Sequence, residues 1–128
     1  MNDSLLRLIL LVIAAITVVS GLGQLLMPEL VLTLIGGDTA PATAQGFATV
    51  GMFMAVTGAM FCQHLWRRSS DTVIPFWIGV QKTAAAILVG LGVSRGLFAP
   101  LALAVAGFDL LSGVLAFVFV ARLRRRNG

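Results

Sequence analysis

Charge is scarce in this chain of 128 residues: nine Lys or Arg and five Asp or Glu make up only 11% of it. That is less than half the roughly 25% usual for soluble globular domains. Hydrophobic residues account for 59%, and the two figures together exclude folding as a water-soluble domain. Cysteine is as sparse. Cys62 stands alone, which excludes an intrachain disulfide and a multi-cysteine metal site; inside an apolar helix a single thiol acts as a small hydrophobe. His64 is the one histidine, so a multi-histidine centre is excluded as well, and no metal site is expected. No phosphate loop, nucleophile elbow, HExxH or CxxC occurs.

What is present is a set of long apolar runs. A membrane-spanning helix needs about 20 predominantly apolar residues. Four such runs fill the chain, so the expectation is an all-α, integral membrane four-helix bundle forming a single domain over residues 1–128. The runs cover about 5–26, 42–66, 73–93 and 100–122. Between the first and second, Pro28 suits the first turn of a helix, Glu29 favours its positive end and Gly36-Gly37 can end it. A short interfacial helix from Pro28 to Ile35 is therefore expected, the alternative being a kink at Pro28 within a longer first helix. Asp38 or Thr39 is the expected cap of the second span and Asp71 of the third, and Pro100 is expected to open the fourth.

The net charge of +4 comes largely from Arg67, Arg68 and the terminal group Arg122, Arg124, Arg125 and Arg126. These flank the apolar runs, where arginine sets topology and is drawn to anionic headgroups of the lipid bilayer. No nucleic-acid partner is expected, because no stacking aromatics or docking element accompany them. With four spans both termini lie on one side, which then collects seven arginines, counting Arg7, against Arg95 alone on the other. The positive-inside rule places the seven-arginine side in the cytoplasm.

Lys82 and Asp109 are the two charges deep within apolar runs. Each costs roughly 2.5 to 3.5 kcal/mol at the bilayer centre on insertion scales, so something must compensate it. Counted from Val73 and Pro100 at 1.5 Å per residue, the two lie roughly 13 Å from opposite faces of a core about 30 Å thick, hence at nearly the same depth. They can meet. Gly79, Lys82, Thr83, Ala86 and Gly90 share one stripe and Ala102, Ala106, Asp109, Gly113 and Ala116 another, and small-residue stripes let membrane helices approach closely. One reading is a structural pair, joined by Gln81, Ser112 or Thr83, that fixes helix register. Another is a polar cavity for a proton, an ion or a lipid-like ligand, in which Asp109 and Lys82 are the candidate catalytic acid and base. A third has the two contacting different subunits. His64, beside Gln63, Trp66, Arg67 and Arg68, reads as an interfacial residue, with an axial haem ligand as its functional alternative.

The opening of the chain resembles DoxX-like small four-helix bacterial membrane proteins: Arg7 at the start of the first helix, then Ser20-Gly21-Leu22-Gly23-Gln24-Leu25-Leu26-Met27-Pro28. The resemblance covers about the first third of the chain and implies a multi-pass protein of the bacterial inner membrane. Such proteins include a membrane subunit linked to thiosulfate oxidation with quinone, which makes quinone the cofactor hinted at. The family commonly carries an acidic residue in its second helix, and none stands between Gln45 and Trp66 here; no catalytic residue carries over, because the matching positions are structural. The leading functional expectation is a homo-oligomeric or accessory subunit of a membrane complex. A membrane enzyme acting on a lipid-soluble molecule at Asp109 and Lys82 is the alternative, and a small proton-coupled transporter follows it.

Overall fold

The computed structural model describes residues 1–128. It is all-helical, in the order α1 (Asp3–Leu26), α2 (Pro28–Leu34), α3 (Pro41–Trp66), α4 (Val73–Ser94) and α5 (Ala102–Asn127). α1, α3, α4 and α5 are each long and apolar enough to cross a membrane. At 22 to 26 residues they extend about 33 to 39 Å, more than a hydrocarbon core about 30 Å thick.

The helix ends follow local chemistry. Asn2 Oδ1 accepts a hydrogen bond from the Leu5 amide at 2.7 Å, capping α1, which begins at Asp3, two residues before the expected start. Met27, at φ −135°, lies outside helical geometry, so Pro28 opens a separate helix and does not kink a continuous one. Asp38 and Asp71 act just outside the helices they were expected to cap: their Oδ1 atoms accept from the amides of Ala40 and Val73, at 3.1 Å each, while the capping positions are Ala40 and Thr72. α5 starts at Ala102 rather than Pro100, because the amides of Ala102, Leu103 and Ala104 donate three residues back, to Ala99, Pro100 and Leu101. That is the tighter 3₁₀ pattern. α5 also runs beyond residue 122, where Arg122 Nη1 donates to Met1 O at 2.6 Å and Asp3 Oδ1 at 2.9 Å. The two termini therefore lie at the same end of the bundle.

The helices pair unevenly. α1 packs extensively on α3 and α4 on α5, while α1 with α5 and α3 with α4 meet only sparsely. Glycine explains the tight pairs. A Cβ at Gly21 would lie 2.7 Å from Gly51 O and Ala55 N, and one at Gly51 would lie 2.7 Å from Gly21 O. The α1 and α3 backbones touch there as only glycine permits. In the second pair a Cβ at Gly113 would lie 2.6 Å from Thr83 Oγ1.

The core fills one half of the bundle. Leu6, Leu10, Phe61, Leu65, Ile78 and Phe119 form a buried cluster at the end carrying the termini. At the far end α2 and the loop before α5 close the bundle. Leu32 is buried, Phe98 packs on Gly92, and the Ala99 amide donates to Ile35 O at 2.7 Å.

Replacing Gly21 or Gly51 by alanine should force α1 and α3 apart and cost about 1–3 kcal/mol. Gly46→Ala and Gly107→Ala, where a Cβ meets open space, should change stability by less than about 1 kcal/mol. Denaturation in mixed detergent micelles, followed by circular dichroism, measures both.

Candidate functional site

Lys82 on α4 and Asp109 on α5 meet, with Lys82 Nζ 3.3 Å from Asp109 Oδ1. A third group joins them from α1: Lys82 Nζ donates to Thr17 Oγ1 at 2.7 Å. Thr17 can accept that bond because its own hydroxyl proton is spent on Ile13 O, at 2.9 Å. The ammonium also lies 5.4 Å from the centroid of the Phe108 ring, within range of attraction to a π-face. Lys82 is buried, and its charge is balanced inside the protein rather than in water or at a headgroup.

Gln81, Thr83 and Ser112, the residues expected to join the pair, are used elsewhere. Gln81 and Thr83 stand about 100° to either side of Lys82 on the helix. Accordingly Gln81 Nε2 donates to Thr57 Oγ1 on α3 at 3.3 Å, while Thr83 sits against Gly113 of α5. Ser112 shares a face with Asp109, but its hydroxyl donates to Phe108 O at 2.6 Å, the local i−4 bond that satisfies serine within a helix.

The cluster forms the floor of a cavity. Where α3 and α4 part, about 420 Å³ is enclosed. Where α1 and α5 part, a second hollow of about 480 Å³ reaches the same Thr17, Gln24, Lys82 and Asp109. The walls are otherwise mostly apolar, with Phe47, Val50, Leu88, Phe98 and Val105 among them. Val50 and Leu88 are 52% and 67% exposed, so the cavity opens sideways towards lipid and not along the bundle axis.

Hydrogen-bonding capacity at this floor is only partly used. Lys82 has three N–H donors and directs two at Thr17 and Asp109. Asp109 engages Oδ1 alone. Gln24 donates from Nε2 to Phe47 O at 3.0 Å, leaving Oε1 unengaged. An apolar chamber with a charged donor, a charged acceptor and an amide carbonyl at one end matches an amphiphile with a small polar head and an apolar body.

His64 is placed differently. It is buried, its ring centroid lies 6.5 Å from those of both Phe61 and Phe119, and Nε2 has no hydrogen-bond partner. An axial haem ligand would present such a nitrogen in the plane of its imidazole ring, and here that nitrogen is buried.

Arg7 is a buried charge that its position near the chain start conceals. Its Nη1 donates to Leu65 O at 3.0 Å, and its guanidinium carbon lies 5.3 Å from the Phe119 centroid. The carbonyl belongs to the last turn of α3, where the helix dipole attracts a cation.

Comparison of the chain with family models, curated proteins and solved structures returns no match.

Lys82→Met or Asp109→Asn should each destabilise the fold by about 3–5 kcal/mol, because either leaves an uncompensated buried group. The double variant should be more stable than the sum of the two losses predicts. A double-mutant cycle in detergent unfolding measures the coupling, and strict additivity would show that the pair does not interact.

Proposed function

We propose that this is a multi-pass membrane protein that takes up a lipid-soluble small molecule from the bilayer and holds its polar head at Lys82, Asp109, Thr17 and Gln24. The observation that carries this reading is the partly used charge cluster at the floor of an apolar, sideways-open cavity. A pair serving only to set helix register has no need of a hollow beside it. A quinone suits the site: a carbonyl oxygen would accept from the spare Lys82 N–H, and the ring and tail would lie among Phe47, Val105 and Leu88. The resemblance of the first helix to DoxX-like proteins agrees with that ligand class. Any proton exchange at the head group would use the same pair, with Lys82 as acid and Asp109 as base.

A second reading, a homo-oligomer or an accessory subunit of a larger complex, draws on Gly46, Gly90 and Gly107. A Cβ at any of them meets open space, so those stretches can admit a close helix from another chain. The two readings are compatible.

We place the protein in the inner membrane of a bacterium with both termini in the cytoplasm. The bundle end that carries the termini and the α3–α4 turn also carries seven of the eight arginines, the bias that sets orientation. Alkaline phosphatase fused after Ser70 should be inactive and fused after Gly96 active; the reverse pattern would invert the topology.

Decyl-benzoquinone should bind the purified protein saturably. Val89→Trp, which narrows the cavity two helical turns from Lys82, should weaken that binding more than tenfold, as followed by native mass spectrometry. Equal binding by both proteins would exclude the cavity as the site. The same spectra of gently solubilised protein report any partner subunit, and a bare monomer would remove the second reading.

A further inference from the structure

A third hollow, unrelated in place and chemistry to the two at Lys82 and Asp109, lies at the bundle end where the termini meet. It encloses about 390 Å³ between the first turns of α1, the α3–α4 turn and the last turns of α5, and Leu123 is the one hydrophobic residue lining it. Three arginines line it, Arg7, Arg68 and Arg126, together with Ser4 and Ser70. Asp3 is the one carboxylate there, and its closer partner is Arg122, at 2.9 Å against 3.8 Å for Arg126. Arg7 and Arg68 have no acidic partner within 4 Å.

The three arginines are held by different means. Arg7 is buried and tied through Nη1 to Leu65 O, which leaves its other N–H groups without a protein acceptor. Arg68 occupies the left-handed region at φ +53°, the conformation that turns a chain sharply out of a helix, and its amide returns to Leu65 O at 3.2 Å. Arg126 projects from the end of α5, where Asn127 Nδ2 donates to Ser70 O at 2.9 Å and ties that end to the α3–α4 turn. Arginines drawn from three separate stretches of chain thus converge on one space with a surplus of positive charge. Guanidinium forks favour one kind of partner above others, a tetrahedral oxyanion that accepts several N–H bonds at once.

We propose that this hollow binds a phosphate group, carried by an anionic lipid headgroup or by a free phosphate. Its place at the end of spans that outreach the hydrocarbon puts it at headgroup level. The buried Arg7 forms the floor, Arg68 and Arg126 close over the anion from the rim, and the serine hydroxyls supply neutral donors. A diffuse basic surface would respond to charge anywhere on it, whereas this site depends on which arginine is present.

The test is phosphatidylglycerol binding to the purified full chain in neutral detergent, read by native mass spectrometry, with phosphatidylcholine as the zwitterionic comparison. Phosphatidylglycerol should bind at least tenfold more tightly. Arg68→Gln and Arg126→Gln should each weaken it about tenfold, the loss of one charge-assisted contact. Arg124→Gln and Arg125→Gln, which remove the same charge from α5 outside the hollow, should leave it within about twofold. Arg68 and Arg126 are exposed, so their loss should leave the fold intact, as circular dichroism and gel filtration would verify. Equal weakening by all four variants would overturn the site in favour of general surface potential, and no weakening by any would overturn it outright. Inorganic phosphate added alone identifies the source. Displacement of the lipid at millimolar phosphate, lost with Arg68→Gln, indicates a soluble phosphate; retention of the lipid indicates the headgroup.

Discussion

A lysine halfway along an apolar helix is tolerated in a bilayer only if the protein supplies the partners that water would have supplied. Lys82 obtains them from two other helices, through Thr17 of α1 and Asp109 of α5. That requirement binds the α1–α3 pair to the α4–α5 pair at mid-depth, where direct packing between the pairs is sparse. It also marks a boundary. Towards the termini the space between the helices is filled by Leu6, Leu10, Phe61, Leu65 and Phe119, and on the other side it is hollow.

Why the hollow persists is a question of residue size. Within each pair, glycine brings backbones into contact and leaves no gap. Between the pairs, residues such as Ala84, Ala85 and Ala102 face the opening and are too short to fill it. Lipid tails are as apolar as leucine, so no hydrophobic force drives the pairs together across such a gap. The closure at the far end, from Leu32, Phe98 and the Ile35–Ala99 hydrogen bond, keeps the hollow from running out through that end of the bundle.

Much of this architecture is legible in the amino-acid order. Four apolar runs of spanning length, Pro28 as a helix start and glycines at helical intervals suffice for the number of helices, the short α2 and the faces that touch. Depth counting suffices for the meeting of Lys82 and Asp109. The remainder depends on which helix neighbours which. Thr17 reads as one polar residue in an apolar run until Lys82 of α4 is seen to reach its hydroxyl from across the bundle. Arg7 reads as an interfacial charge until the end of α3 is seen to fold over it, offering Leu65 O. Gln81 and Thr83 flank Lys82 in the chain, and that adjacency is misleading, because neighbours in a helix point about 100° apart.

The hydrogen bonds from Arg122 to Met1 and Asp3 span 121 and 119 positions, nearly the whole chain. Proteins emerge from the ribosome N-terminus first, so Asp3 enters the membrane surface long before its partner has been synthesised. The α1–α3 pair can form as soon as α3 is made, but the end it shares with α5 stays open until the last turns arrive. A nascent chain that stalls before Arg122 would therefore carry a folded first half and an unsealed end. Quality control in the membrane would have a physical difference to act on: an unpaired carboxylate at the end of the bundle that holds a buried arginine.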